Sequence, residues 1–202
     1  MQMKQNRINQ RGGAGIVALI VLAIVLVIGG GIFALYVSNA NYGNRTEVQI
    51  QGIWENNQNI LGQYTLKVQE IASVPEMYKN DLKEVMTSVM QARQGPDGSK
   101  AAFQFFKEHN INIDTAMYTK IQQVIEAGRN DFQTNQTRLI DTKKVYREQL
   151  GSIPKGWFLS MAGYPKIKIG YPNINDDDYK PVVAEDTRDV FKSGVQKPVK
   201  LR

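Results

Sequence analysis

His109 is the single histidine in a chain that has no cysteine. Zinc sites gather several His, Cys or carboxylate ligands at short recurrent spacings, and His109 stands in an EHNIN stretch with no second histidine to join it. A serine nucleophile needs a histidine base oriented by a third group; no G-x-S-x-G elbow is present, and His109 would have to serve any serine. No glycine-rich loop precedes a Lys-Ser or Lys-Thr pair, as phosphate cradling requires. Asn173, Asn175, Asp176, Asp177 and Asp178 offer hard oxygen ligands. A calcium loop, however, wants Gly at its sixth place and Glu at its twelfth, where this chain has Asp178 and Ala184; a solvated acidic turn is expected. Glu47, Glu55, Glu70, Glu84 and Glu126 lack the Glu-x-x-His partners of a di-iron bundle. The residue types therefore predict no catalytic residue, no metal site, no cofactor and no enzyme.

Residues 12–37 contain no charged residue, and about 20 apolar residues of helix cross a bilayer core. Ile16, Leu19, Leu22, Val25, Ile28 and Phe33 mark the predicted membrane-spanning segment, which Gly29, Gly30 and Gly31 interrupt. Lys4, Arg7 and Arg11 precede it without an acidic residue, while Arg45 and Glu47 cancel beyond it. Basic flanks stay cytoplasmic, so residues 1–11 are expected inside and residues 38–202 outside, in the periplasm of a cell with an inner membrane. Ser38, Asn39 and Ala40 would suit cleavage of a signal peptide, but the apolar run exceeds the roughly 7–15 residues of such a segment; retention as an anchor is expected. The remaining basic excess sits at the C-terminus, in Arg188, Lys192, Lys197, Lys200 and Arg202. Basic groups at the two ends, instead of on a folded face, argue against nucleic-acid binding.

Beyond the anchor the apolar spacing is helical. Ile50, Trp54, Asn57, Leu61, Tyr64, Val68 and Ile71 follow one another by threes and fours, the pattern of a coiled-coil seam. Asn57 within it reads as a register-setting polar residue. Val74-Pro75 should end this helix, with Pro75 opening the next and Tyr78, Leu82, Val85, Met86, Val89 and Met90 as its apolar face. A short helix over 100–108 carries Phe103, Phe105 and Phe106, with Ser99 as N-cap. Asp114 should cap the last long helix, whose stripe includes Met117, Ile121, Gly128, Phe132, Gln136, Leu139 and Tyr146, and Gly151 and Pro154 should stop it. Trp157, Phe158 and Tyr164 lie in an apolar stretch without clear period; packing on the end of the bundle is expected over a place at a membrane interface. Pro172, Pro181, Pro198 and many charges predict an irregular tail. The fold class predicted is all-α: one transmembrane helix over 12–37, an elongated antiparallel helical bundle over 38–165, and an irregular tail over 166–202. The two long stripes can bury each other within one chain, where effective concentration favours pairing, so a monomeric soluble part is expected.

This order of parts resembles the LemA family of membrane-anchored helical proteins. The similarity lies in Asn41-Tyr42-Gly43-Asn44-Arg45 followed by Glu47 and Trp54, in Val89-Met90-Gln91-Ala92-Arg93, and in Phe132-Gln133 and Leu139 through Tyr146-Arg147. It continues in Ile153-Pro154 and Met161-Ala162-Gly163-Tyr164, so that it spans about residues 41–165. Ser73-Val74-Pro75-Glu76-Met77 departs from the family's Leu-Ile-Pro-Asn-Leu, and Arg147 stands where the family has Asn after the late Tyr. These departures read as a divergent member, phage-encoded or otherwise specialised. The resemblance implies an antiparallel bundle beside a single anchor without established enzyme chemistry. The partners expected are the lipid bilayer and other membrane or envelope proteins, with the chain acting as an interaction or scaffold protein. The alternative is an extracytoplasmic ligand-binding or sensor module that relays through a partner membrane protein.

Overall fold

A computed structural model describes residues 11–91, 97–170 and 177–182. The described residues are helical apart from turns and one antiparallel bridge between Ile169 and Asp177. Helix α1 runs without a break over Arg11–Ile71. It passes straight through Gly29–Gly31, where the sequence suggested an interruption. Glycine lowers helix stability by about 1 kcal/mol per residue but keeps its backbone donor, so the hydrogen-bond ladder can continue across all three. Every Leu, Ile, Val and Phe from residue 16 to residue 35 is at least half exposed, and α1 is the one described helix long and apolar enough to cross a membrane.

The other half of α1 is one-sided. Thr46, Glu47, Ile50, Ile53, Asn57, Tyr64, Thr65 and Val68 are buried, and Trp54, Ile60, Leu61 and Ile71 are half-buried. The helix ends ahead of Val74-Pro75, in a left-handed Ser73 (φ 50°). The Val74 amide donates to the Gln69 carbonyl at 2.9 Å and the Ser73 amide to that of Glu70 at 3.2 Å, the paired closure that satisfies the last free carbonyls of a helix. A 3-10 turn, Glu76–Tyr78, leads into α2, Lys79–Gln91. Helix α3 is Asp97–Glu108; it starts earlier than the sequence suggested, so Ser99 lies inside it, buried, and is not its N-cap.

Helix α4, Thr115–Leu150, begins at Asp114, whose Oδ1 accepts the Met117 amide at 2.7 Å, a standard N-cap bond. Its buried residues, Ile121, Ile125, Gly128, Phe132, Asn135, Gln136, Leu139, Lys143 and Tyr146, follow the three-four spacing of one helix face. Residues 155–161, which showed no clear period, form helix α5, Lys155–Met161; it is too short for a period of 3.6 to register.

The chain divides into two compact units. The first holds the described residues up to Arg45 together with Gln149–Lys166. Here Phe158, Leu159 and Tyr164 are buried. The ring of Tyr164 lies so close to Gly43 that a Cβ there would come within 2.7–2.9 Å of it, and Lys155 Nζ sits 3.4 Å from the centre of the Tyr42 ring. The second unit holds Thr46–Glu148 and the described residues from Ile167 onward. Its core joins Tyr64 and Val68 of α1, Leu82, Met86 and Met90 of α2, Phe105 and Phe106 of α3, and Ile121, Ile125 and Phe132 of α4.

Candidate functional site

His109 and several of the carboxylates make defined contacts in the fold. His109 is half-buried, not solvated: its Nδ1 lies 2.9 Å from the Phe105 carbonyl, and its ring packs against Tyr78 and Phe105 at 4.4 and 4.3 Å between centres. Glu76 accepts from Lys79 at 2.8 Å and from Gln69 at 3.0 Å, and these two donors hold its carboxyl below the usual glutamate range. Among the described residues no three His, Asp or Glu side chains come together as a metal-binding set.

Within the second unit, α1 and α4 meet through a row of polar contacts. Tyr146 Oη donates to buried Glu47 Oε1 at 2.8 Å. Buried Asn135 Nδ2 donates to the Ile53 carbonyl at 3.0 Å and to Asn57 Oδ1 at 3.1 Å. Tyr64 Oη donates to Asp131 Oδ2 at 2.5 Å, and that bond to a carboxylate raises the phenol's pKa above its ordinary 10.0. Asn57, the polar residue expected to set register, is thus paired across the helices by a side chain that the sequence did not single out.

Residues 177–182 add a strap to the same unit. Asp177 accepts from Lys143 Nζ, and both side chains are almost completely buried, 4% exposed for the lysine and 5% for the aspartate. Lys143 also donates to the Tyr179 carbonyl at 3.0 Å, and Gln136 Oε1 accepts the Val182 amide at 3.1 Å. The Tyr179 ring meets half-buried Trp54 edge-on at 5.6 Å. Burial pulls the Lys143 ammonium below its ordinary pKa of 10.5, and Asp177 pulls the other way without fully compensating. Asp177 is therefore no solvated acidic turn, and the tail is not irregular at this point. Gly170 (φ 64°) lies against Asp177, where a side chain would collide. Tail positions 171–176 and 183–202, which carry the rest of the acidic stretch and the basic C-terminus, lie outside the described residues, as do Lys4 and Arg7.

Of the sequence-nominated seam, Asn57, Tyr64, Val68, Ile121, Phe132, Leu139 and Tyr146 are buried, and Trp54 and Leu61 half-buried. Lys143 and Asn135 went unnoticed, although both fall in step with Leu139, Tyr146 and Phe132; a polar residue at a core spacing was the available signal. The aromatic trio of the first unit splits. Phe158 and Tyr164 are buried, whereas Trp157 is exposed together with Ile153 and Met161, so burial of the three aromatics as one packed cluster holds for two of them and fails for Trp157. No family model matches the chain, and no curated protein or solved structure is significantly similar to it.

Proposed function

We propose that this is a single-pass membrane protein of LemA type that acts without enzymatic chemistry as an interaction or scaffold protein of the cell envelope. In this reading the N-terminus is cytoplasmic, the chain crosses the inner membrane once, and the second unit is an antiparallel helical bundle on the extracytoplasmic side. The observation that carries it is α1 itself: apolar and exposed all round up to Leu35, then polar outside with one buried face from Thr46 onward. A helix apolar on every side has no stable place in water, and the change of pattern inside one helix matches a change of solvent. The rising partner numbers on α4 (Asp131, Asn135, Tyr146) against falling ones on α1 (Tyr64, Asn57, Glu47) support the antiparallel course. Basic Lys4, Arg7 and Arg11 support the orientation.

Two measurements test this. Proteinase treatment of spheroplasts carrying a tag at each end should remove the C-terminal tag and spare the N-terminal one; the reverse pattern overturns the topology. Photo-crosslinkers placed at exposed Leu66 and Ile140 should trap discrete membrane or envelope proteins in intact cells. A chain that crosslinks to nothing at any exposed position overturns the scaffold role.

A further inference from the structure

The exposed side chains of α5 and the turn before it are apolar, and among the described residues nothing covers them. Ile153 is 94% exposed, Trp157 59% and Met161 57%; the spacing of four puts Trp157 and Met161 on one side of α5, and Ile153 stands in the turn that leads into it. The opposite side is the packed one, through buried Phe158 and Leu159. The strip belongs to the same compact unit as the membrane-crossing half of α1. That unit is pinned at a definite height, because Lys155 lies over Tyr42 and Tyr164 lies on Gly43. Tyr42 and Gly43 follow Val37, the end of the apolar run, by about 8 Å at 1.5 Å per residue. The polar headgroup layer adds about 5–8 Å to each side of the hydrocarbon core, so α5 stands at its outer edge and its side chains reach into it.

We infer that the Ile153–Trp157–Met161 strip is a second membrane contact, seated in the headgroup region of the bilayer that α1 crosses. The composition fits this occupant. Tryptophan favours the boundary between headgroups and acyl chains, and exposed Ile and Met beside it supply the apolar side of an interfacial helix. Residues 149–166 contain Lys155 and Lys166 and no acidic residue, and residues 38–45 add Arg45; an acid-free surface meets lipid phosphate without repulsion. A strip fixed to the lipid, in addition to the helix that crosses it, restrains rotation and tilt of α1 at the surface. The sequence weighed this placement for the entire aromatic stretch. The structure divides the stretch into a packed half (Phe158, Tyr164) and a half turned outward (Trp157 with Ile153 and Met161).

This inference rests on the membrane-anchor reading, and the test separates the two. The full-length chain carrying Trp54→Phe, in which Trp157 is the only tryptophan, is reconstituted into phosphatidylcholine vesicles and floated on a density gradient. Flotation reads the anchor; quenching of Trp157 by lipids brominated near the headgroup end of their chains reads the strip. Trp157, at the level of the headgroups where tryptophan is favoured, should be quenched strongly, while Trp54 in the Trp157→Phe chain loses little. A chain that floats with Trp157 unquenched overturns the strip and leaves the anchor standing, including the case in which a protein partner and not lipid covers it. A chain that fails to float overturns both. Because the protein has no cysteine, Ile153→Cys with an environment-sensitive dye gives a second reading that leaves both tryptophans in place; a blue-shifted dye on binding vesicles is expected, and a spectrum like that in water overturns the strip.

Discussion

Gly128 on α4 is the position where one methyl group should do most harm. A Cβ built there would come within 2.7 and 2.9 Å of Tyr64 Cγ and Cδ1, and would also strike the end of the Met90 side chain. The Met90 methyl can swing away, since it ends a flexible chain. Tyr64 cannot: Cγ is the root of the ring, and the far end is tied by Oη to Asp131 at 2.5 Å. Alanine inside a helix is otherwise favoured over glycine by about 1 kcal/mol, and overpacking a closed core costs about 1–3 kcal/mol. With the ring fixed at both ends the upper part of that cost applies, so Gly128→Ala should be net destabilising by about 1–2 kcal/mol, an opposing gain and cost taken together. In a chain of this size that lowers the unfolding midpoint by about 2–4 °C per kcal/mol. Gly52 and Gly62 on α1 have nothing within 4 Å of the same hypothetical Cβ, so Gly52→Ala and Gly62→Ala should each gain up to about 1 kcal/mol from helix propensity alone. Thermal unfolding of the full-length protein in detergent, followed by circular dichroism, gives all three. On a Tyr64→Ala background Gly128→Ala should turn favourable, which isolates the ring as the cause. Gly128→Ala matching or exceeding the parent in stability would refute the packing argument.

Three further outcomes follow from named contacts. Lys143 is held below its ordinary pKa by burial, so between its folded value and the ordinary 10.5 the unfolded chain binds more protons, and this site's share of stability rises with pH there and is flat below; the rise should vanish in Lys143→Met/Asp177→Asn, and an unchanged slope of stability between neutral pH and pH 10.5 would contradict it. Asn135→Ala leaves buried Asn57 Oδ1 without its donor and should cost about 1–3 kcal/mol, whereas Asn57→Leu/Asn135→Leu should cost less than the single change; urea unfolding decides, and a double variant weaker than both singles counts against the pairing. The 15 Leu, Ile, Val and Phe residues from 16 to 37 favour insertion by about 5–9 kcal/mol, and each central Arg opposes it by about 3 kcal/mol. Leu22→Arg should therefore remain in carbonate-extracted membranes and Leu19→Arg/Leu22→Arg/Val25→Arg should not; loss with the single Arg, or retention with three, breaks the estimate.

The long helices were legible because their signals are long. A charge-free run and a stripe repeated over several turns survive local exceptions, and Asp114 announced the start of α4 by its type and place. What was missed depends on contacts between positions far apart in sequence. The spacing of Lys143 from Leu139 and Tyr146 puts it on the buried face, but nothing local names its partner, Asp177, thirty-four residues later. The end of α1 was legible too: Val74-Pro75 announced it, and the helix closes just ahead of that pair through a left-handed Ser73. Trp157 and Phe158 adjoin in sequence, and on a helix adjoining residues face apart; one faces in and the other out. The resemblance to LemA proteins rested on helix-packing residues, which recur in many unrelated helical chains.

The polar residues on the buried face of α4 do more to select one arrangement than to strengthen it. An apolar stripe with a seven-residue repeat tolerates a slide of one repeat with little loss, because Leu139 can occupy the place of Phe132 and Tyr146 that of Leu139. The polar partners do not repeat. Such a slide would take Asn135 from Asn57 and the Ile53 carbonyl, Tyr146 from Glu47, and Asp131 from Tyr64. A buried amide, hydroxyl or carboxylate left without its partner costs about 1–3 kcal/mol, more where it is charged. The total is comparable with the whole stability of an ordinary domain, about 5–15 kcal/mol. The correct register gains little from each pair, since a buried hydrogen bond merely replaces one to water, yet the wrong register loses all of them together. Asn57 with Asn135, and Glu47 with Tyr146, thus act as register marks on two long helices whose apolar residues alone would leave several alignments nearly equal.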